Sequence, residues 1–236
     1  MKNILTQVGT LNSLMMGDYY GEVTVDELTK QGDIGIGTYE GLDGEAIFLN
    51  GIAYDSRADG KTYVMGKDVK VPFATIAKFD DKVKENIISF NDIEELKEKL
   101  EHTLPSKNYF YIIKMEGLFD VRVRSCFKQD EPYEPLYKVA KDQREYDFKQ
   151  EGYVIGVYCP NYVQGMNLPG WHIHFLSKDL KHGGHILKLK GNNISYKINE
   201  LNEWNVILPH TKGFENWDLT QDLKEKTKQV EGSSNK

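Results

Sequence analysis

Four of the six histidines of this chain fall within fourteen residues, at His172, His174, His182 and His185. Imidazole is a common metal ligand and a base that titrates near neutral pH, so a cluster of this kind is the first place to look for chemistry. The run Trp171-His172-Ile173-His174-Phe175-Leu176 reads as a strand, on which side chains alternate between two faces. His172 and His174 then share one face, and Ile173 and Phe175 take the other. Residues 178–184 return the chain antiparallel and set His185 opposite or diagonal to His174, within the ~4.5–8 Å over which cross-strand side chains interact. Three imidazoles can therefore converge on one point. Such a donor set suits Zn²⁺ with a position left open for water or substrate, as catalytic zinc requires. Iron, manganese and copper also accept imidazole, so spacing alone leaves the metal open. His182 sits in the turn beside Lys181 and two glycines, where a solvated loop histidine is the ordinary outcome, and it is not counted as a ligand. A metal-free histidine cluster in the core or on the surface is the plainer alternative, weakened by the third histidine on the returning strand.

The elements that must carry this hairpin are mostly strands. Apolar and β-branched runs at 34–39, 45–49, 52–55 and 62–65 alternate with the turn signals Leu42-Asp43-Gly44, Asn50-Gly51 and Asp59-Gly60, the pattern of an antiparallel meander. Strand patterns return at 109–114, 118–127, 153–159, 171–176, 185–190, 194–198 and 204–208. Helices are few. Thr24-Val-Asp-Glu27 has capping-box spacing, with Gly32 where that helix would stop. Ile93, Leu96 and Leu100 share a helical face behind an Asn91 cap, and residues 219–230 place Leu219, Leu223 and Val230 on one face. The expected fold is α+β, predominantly β: two packed β-rich domains, 1–104 and 105–236, with the metal hairpin in the second.

Composition narrows the function classes. The 236 residues include 36 acidic and 30 basic ones, a net charge of −6, with no basic stripe of the kind that tracks a phosphate backbone. No nucleic-acid partner is expected. No apolar stretch approaches the ~18 residues of a membrane span, and the first residues are too polar for a secretory signal, so a cytoplasmic protein with no membrane partner is expected. Cys126 and Cys159 are the two cysteines, too few and too far apart for a disulfide framework or a cysteine zinc site, and are read as packed small hydrophobes. Exposed sheet edges make a homodimer plausible on physical grounds.

On these residues the chain resembles the bacterial alpha-acetolactate decarboxylases, from about Leu5 to Glu231. The segment 170–179 with Gly183-Gly184-His185 is similar to that family's metal hairpin, which implies zinc on His172, His174 and His185. The segment 35–45 resembles its N-terminal active-site stretch, which implies a catalytic role for Glu45 and a substrate contact for Thr38. Arg124, ahead of Ser125-Cys126, falls at the family's active-site arginine, and Glu231 near its C-terminal glutamate; both are thereby implied as catalytic. By local pattern alone, Glu45 is a carboxylate at a strand start, and Arg124 shares a charged strand face with Asp120 and Arg122. Glu225 is the competing tail carboxylate. The reaction implied is loss of CO₂ from acetolactate to give acetoin, with zinc chelating the ketone and hydroxyl oxygens and stabilising an enediolate that is then protonated.

Two rival readings use the same residues differently. A His-x-His on a strand followed by a later histidine also fits a cupin-like metal enzyme acting on another small oxo or hydroxy acid, but residues 175–179 contain no glutamate of the kind cupins usually add. A non-catalytic β-rich binding protein with a structural metal would need a closed coordination sphere, and cysteine ligands are lacking.

Overall fold

In the computed structural model, which describes residues 3–231, strands predominate and the helices are short, an α+β arrangement. The strands are β1 (Ile4–Val8), β2 (Val23–Thr24), β3 (Ile34–Thr38), β4 (Glu45–Leu49), β5 (Ile52–Ser56), β6 (Thr62–Val64), β7 (Lys70–Val71), β8 (Phe73–Ala77), β9 (Asn86–Phe90), β10 (Phe110–Ser125), β11 (Arg144–Cys159), β12 (Gly170–Ser177), β13 (Gly183–Leu201) and β14 (Glu203–Ile207). The helices are α1 (Leu11–Met16), α2 (Val25–Thr29), α3 (Ile93–Thr103), α4 (Leu136–Val139), α5 (Lys212–Asn216) and α6 (Lys224–Glu231). The end of the polar tail, residues 232–236, lies outside the described residues, and the expectation that it is a disordered appendage lies there too. Among the described residues no helix is long and apolar enough to cross a membrane.

The meander forms as its turns dictate. Asn50 and Gly51 both take positive φ, 54° and 77°, the geometry that suits a two-residue hairpin between β4 and β5. Seven strands in the order β14-β1-β8-β3-β4-β5-β6 make one sheet, and β2 pairs separately with β7. The second sheet runs β10-β11-β12-β13-β9, and β10 also pairs with β13, which closes four of its strands on themselves as a small barrel. Phe119, Val154, Ile173 and Phe175 fill that barrel together with Leu96 and Leu100 of α3. A second core lies between the sheets, where Ile36, Ile47 and Leu49 meet Ile112, Ile155 and Val157. Strand pairing crosses the sequence seam at 104 in both directions: β9 joins β13, and β14 joins β1.

Local expectations hold or fail for identifiable reasons. The capping box is present, with the Thr24 hydroxyl accepting from the Glu27 N–H and the Glu27 carboxylate accepting from the Thr24 N–H. On α3 the cap is Asp92 rather than Asn91, because Asp92 Oδ1 accepts from the Glu95 N–H while Asn91 donates to the Glu95 carboxylate. The runs 109–114 and 118–127 are one strand, β10. Likewise 185–190 and 194–198 merge into β13, where the turn-like residues around Asn192 make a register shift between Gly191 and Ile194 instead of a turn. The first half of β11 was not expected, since its charged and aromatic alternation faces solvent against β10. The tail helix is shorter than residues 219–230. Asn12 Nδ2 donates to the carbonyls of Leu219 and Gln221 at 2.8 and 3.2 Å, which holds that stretch non-helical until Asp222 accepts from the Lys224 N–H. Both cysteines are buried and free.

Candidate active site

The hairpin brings its three histidines together. His174 and His185 are direct cross-strand partners, and pairing between β12 and β13 is confined to 174–176 against 183–185. His172 Nε2 lies 3.1 Å from His185 Nδ1 and 3.2 Å from His174 Nε2. His174 Nδ1 is 3.0 Å from the carbonyl of Ala46, which can only accept. The proton of a neutral His174 is therefore on Nδ1, and the Nε2 lone pair faces the cluster. All three rings are held neutral: burial, reinforced by neighbouring positive charge, pushes His172 down to about 3 and the other two well below the ordinary histidine value. His182 is elsewhere, stacked on Phe148 with its Nδ1 2.9 Å from the carbonyl of Gly60.

Three separate segments face this cluster. Glu45 opens β4 directly after a turn in which Gly44 has φ 74° and the Asp55 carboxylate occupies the space a Cβ would need, so glycine is required there. The Thr38 hydroxyl donates to the Gly44 carbonyl at 2.8 Å and fixes the turn. Glu45 Oε2 then sits 3.5 Å from His174 Nε2, and Oε1 3.9 Å from Arg124 Nη1. Burial raises the Glu45 carboxyl to about 8, opposed by Arg124 and assisted by the charges of Glu231 and Asp55. Arg124 lies near the end of β10, paired in register with His185, and is 3 % exposed. Its Nη1 donates to Gln143 Oε1 at 3.0 Å, while its Nε has no partner among the described residues. Arg122 instead forms a two-point pair with Asp147 at the surface.

Glu231 ends α6. Its Oε2 is 3.4 Å from His185 Nε2, 3.8 Å from His172 Nε2 and 3.9 Å from Arg124 Nη2, yet although buried it has no hydrogen-bond partner among the described residues. Glu225 points away and pairs with Lys228. Apolar side chains complete the wall: Leu11 and Leu14 of α1, Leu42, Phe73, Leu136 and Val230 enclose a cavity of about 40 Å³ with Thr38, Glu45, Arg124, His172, His185 and Glu231. Of these, α1, Gln143 and the Asn12 clasp on the C-terminal segment had no signal in the sequence, because each acts through a contact more than a hundred residues away or through a side chain of no distinctive type.

The donor set suits a transition metal. A neutral imidazole nitrogen either donates or accepts, so His172 Nε2 cannot make a hydrogen bond of the same sense to both neighbours from one proton or lone pair. His174 Nε2 offers only a lone pair. Inward-facing lone pairs and an unpartnered buried carboxylate oxygen beside them are the chemistry that a cation satisfies. Among the described residues His172, His174 and His185 form the group able to hold a metal ion.

The chain has known relatives in both sequence and fold. The profile of the family described as Alpha-acetolactate decarboxylase matches residues 5–221. An alpha-acetolactate decarboxylase of Brevibacillus brevis is 40% identical over 222 residues, covering 93% of this chain and 78% of that one. One from Methanosarcina mazei is 34% identical over 97% of this chain and 80% of its own length. The crystal structure of alpha-acetolactate decarboxylase from Bacillus subtilis strain 168 superposes with a TM-score of 0.92 at 31% identity, covering 98% of this chain and all of that one. The chain, with its histidine hairpin and the three charged residues that close on it, belongs to the alpha-acetolactate decarboxylase family.

Proposed function

We propose that this protein is a carboxy-lyase that converts acetolactate to acetoin and CO₂ at a zinc ion held by His172, His174 and His185. The observation that carries the reading is the convergence of Glu45, Arg124 and Glu231 on the three histidines, in a chain of this family. In the reaction the C1–C2 bond breaks, CO₂ leaves, and the electron pair left on C2 moves toward the neighbouring carbonyl oxygen; C2 then takes up a proton. A zinc ion held by His172, His174 and His185 would supply Lewis acidity for the negative charge that develops, worth several kcal/mol of barrier.

The chain's own residues do the rest. Glu45 is the proton donor to C2. Burial raises its carboxyl to about 8 in the metal-free site, so it holds a proton more tightly than an ordinary carboxylate does, and it stands beside His174. Arg124 lines the cavity and, as a fixed positive charge with a planar fork of donors, attracts the oxygens of the substrate. Gripping only the departing carboxylate would stabilise the substrate more than the transition state, so its larger contribution is to orientation and to the developing oxyanion. Glu231 closes the cavity and faces the cation. The Thr38 side chain lines the cavity and holds the turn that aims Glu45, and its contact with substrate is part of this proposal. The apolar wall excludes water and suits the two methyl groups of acetolactate. Purified protein given acetolactate, with acetoin measured by colour and zinc by mass spectrometry, should show turnover and about one zinc per chain. Zinc-loaded protein that forms no acetoin overturns the reading.

A further inference from the structure

The histidine cluster is reached from a second side. Because β12 and β13 pair only at 174–176 with 183–185, the two strands part beyond His174 and His185 and leave a slot in the barrel wall. The slot opens into a cavity of about 230 Å³ under α3, separate from the one holding Glu45 and Arg124. Its deep end is made by His172, His185 and Glu231, and its outer end by Glu94 and Lys97 of α3. Trp171 lines it too. That indole is 4 % exposed and packs on Tyr158 in the barrel core, so it forms a rigid apolar wall of the slot.

We propose that this slot is a port that binds small carboxylates, the class to which acetolactate belongs under the function proposed above, with the carboxylate held by the Lys97 ammonium on its way to the histidines. The protein carries a net charge of −6, so an anionic substrate needs a local positive field to approach at speed. Lys97 provides it. It lines the same cavity as His172 and Glu231. Its present partner, Glu94, is 3.1 Å away on an exposed side chain, a contact weak enough to exchange for an incoming carboxylate. The port's two negative groups are thus Glu94 at the rim and Glu231 at the deep end, where Arg124 faces it.

The test follows the port without relying on turnover. Zinc-loaded protein is mixed with pyridine-2,6-dicarboxylate, an anionic chelator, or with 1,10-phenanthroline, which is neutral, and zinc release is timed. Lys97→Glu should release zinc to the dicarboxylate about tenfold more slowly and Lys97→Gln about threefold, whereas Glu94→Gln should quicken it, all with unchanged release to phenanthroline. In steady state, Lys97→Gln should raise KM for acetolactate several-fold with kcat near wild type, and the salt dependence of kcat/KM should flatten. Equal release from wild type and Lys97→Glu, or parallel changes with both chelators, overturns the port. Failure of wild-type protein to act on acetolactate overturns the function while leaving the chelator result to decide the port.

Discussion

The site is built from two regions that are put together in different ways. The histidine half is local: thirteen residues separate His172 from His185, and one hairpin register sets both. The charged half is long-range, since Glu45, Arg124 and Glu231 come from the first sheet, the barrel and the last helix. A local site is as robust as its hairpin, whereas the charged half depends on the two sheets and the C-terminal segment docking correctly. Metal binding should therefore follow the first region and turnover both.

The largest effects should separate them most cleanly. His172→Ala, His174→Ala and His185→Ala should each lose zinc and about 10³-fold or more in activity, since several kcal/mol of Lewis-acid stabilisation goes with the ion. His182→Ala should retain both, because that ring binds Gly60 and Phe148 instead. Zinc analysis of the four variants decides this, and full zinc in His185→Ala would remove that residue from the site. Glu45→Gln comes next. It should fold, keep zinc and lose about 10²- to 10⁴-fold in kcat, the usual contribution of a positioned proton donor.

The pH profile adds a sign to that prediction. A donor is active when protonated, so kcat should be flat at low pH and fall as pH rises through the Glu45 value. That value is about 8 without a cation and lower with zinc bound, because positive charge favours the carboxylate. The falling limb should disappear in Glu45→Gln, and its survival there would assign it to another group. Arg124→Lys should be damaging on the order of 10²-fold, as an ammonium cannot present the planar fork of donors. Arg122→Lys should leave turnover near wild type, since Arg122 serves a surface pair with Asp147.

What the sequence discloses follows the same division. Period-two alternation and a short return loop are enough to put three histidines on one point, because every step is a local backbone rule. The meander and its turns, the capping box and the amphipathic α3 were readable for the same reason. Arg124 and Arg122 look alike on an alternating strand, and only the tertiary pairing buries one and leaves the other at the surface. Nothing around Gln143 or α1 marks them as part of a site. The closure of β10 onto β13 joins segments about ninety residues apart, as Phe110 with Leu201 shows, and no periodicity encodes that. Turn-like residues inside β10 and β13 read as breaks because a long strand absorbs them as irregularities only when partners on both sides hold it.

The C-terminal segment gives the finest test of the long-range half. It carries Glu231 to the histidines, and its course is fixed by Asn12, whose amide donates to Leu219 and Gln221, and by the buried contact between Thr211 and Asp18 at 2.6 Å. Leu223 and Val230 then pack with Leu11, Leu14 and Leu136. Glu231→Gln, or a chain ending at residue 230, should keep zinc on the three histidines and lose about 10- to 100-fold in kcat, the range seen when groups that support a metal site are removed. Asn12→Ala acts one step further away. Removing its two donations leaves a pair of carbonyls without partners, about 1–3 kcal/mol against the docked segment, so a smaller loss of about tenfold is expected with zinc unchanged. If Asn12 matters only by holding Glu231 in place, the double variant Asn12→Ala, Glu231→Gln should be no slower than Glu231→Gln alone, since two changes acting through one group do not add. A double variant tenfold slower than Glu231→Gln would show that the clasp supports α1 and the apolar wall of the cavity independently of Glu231.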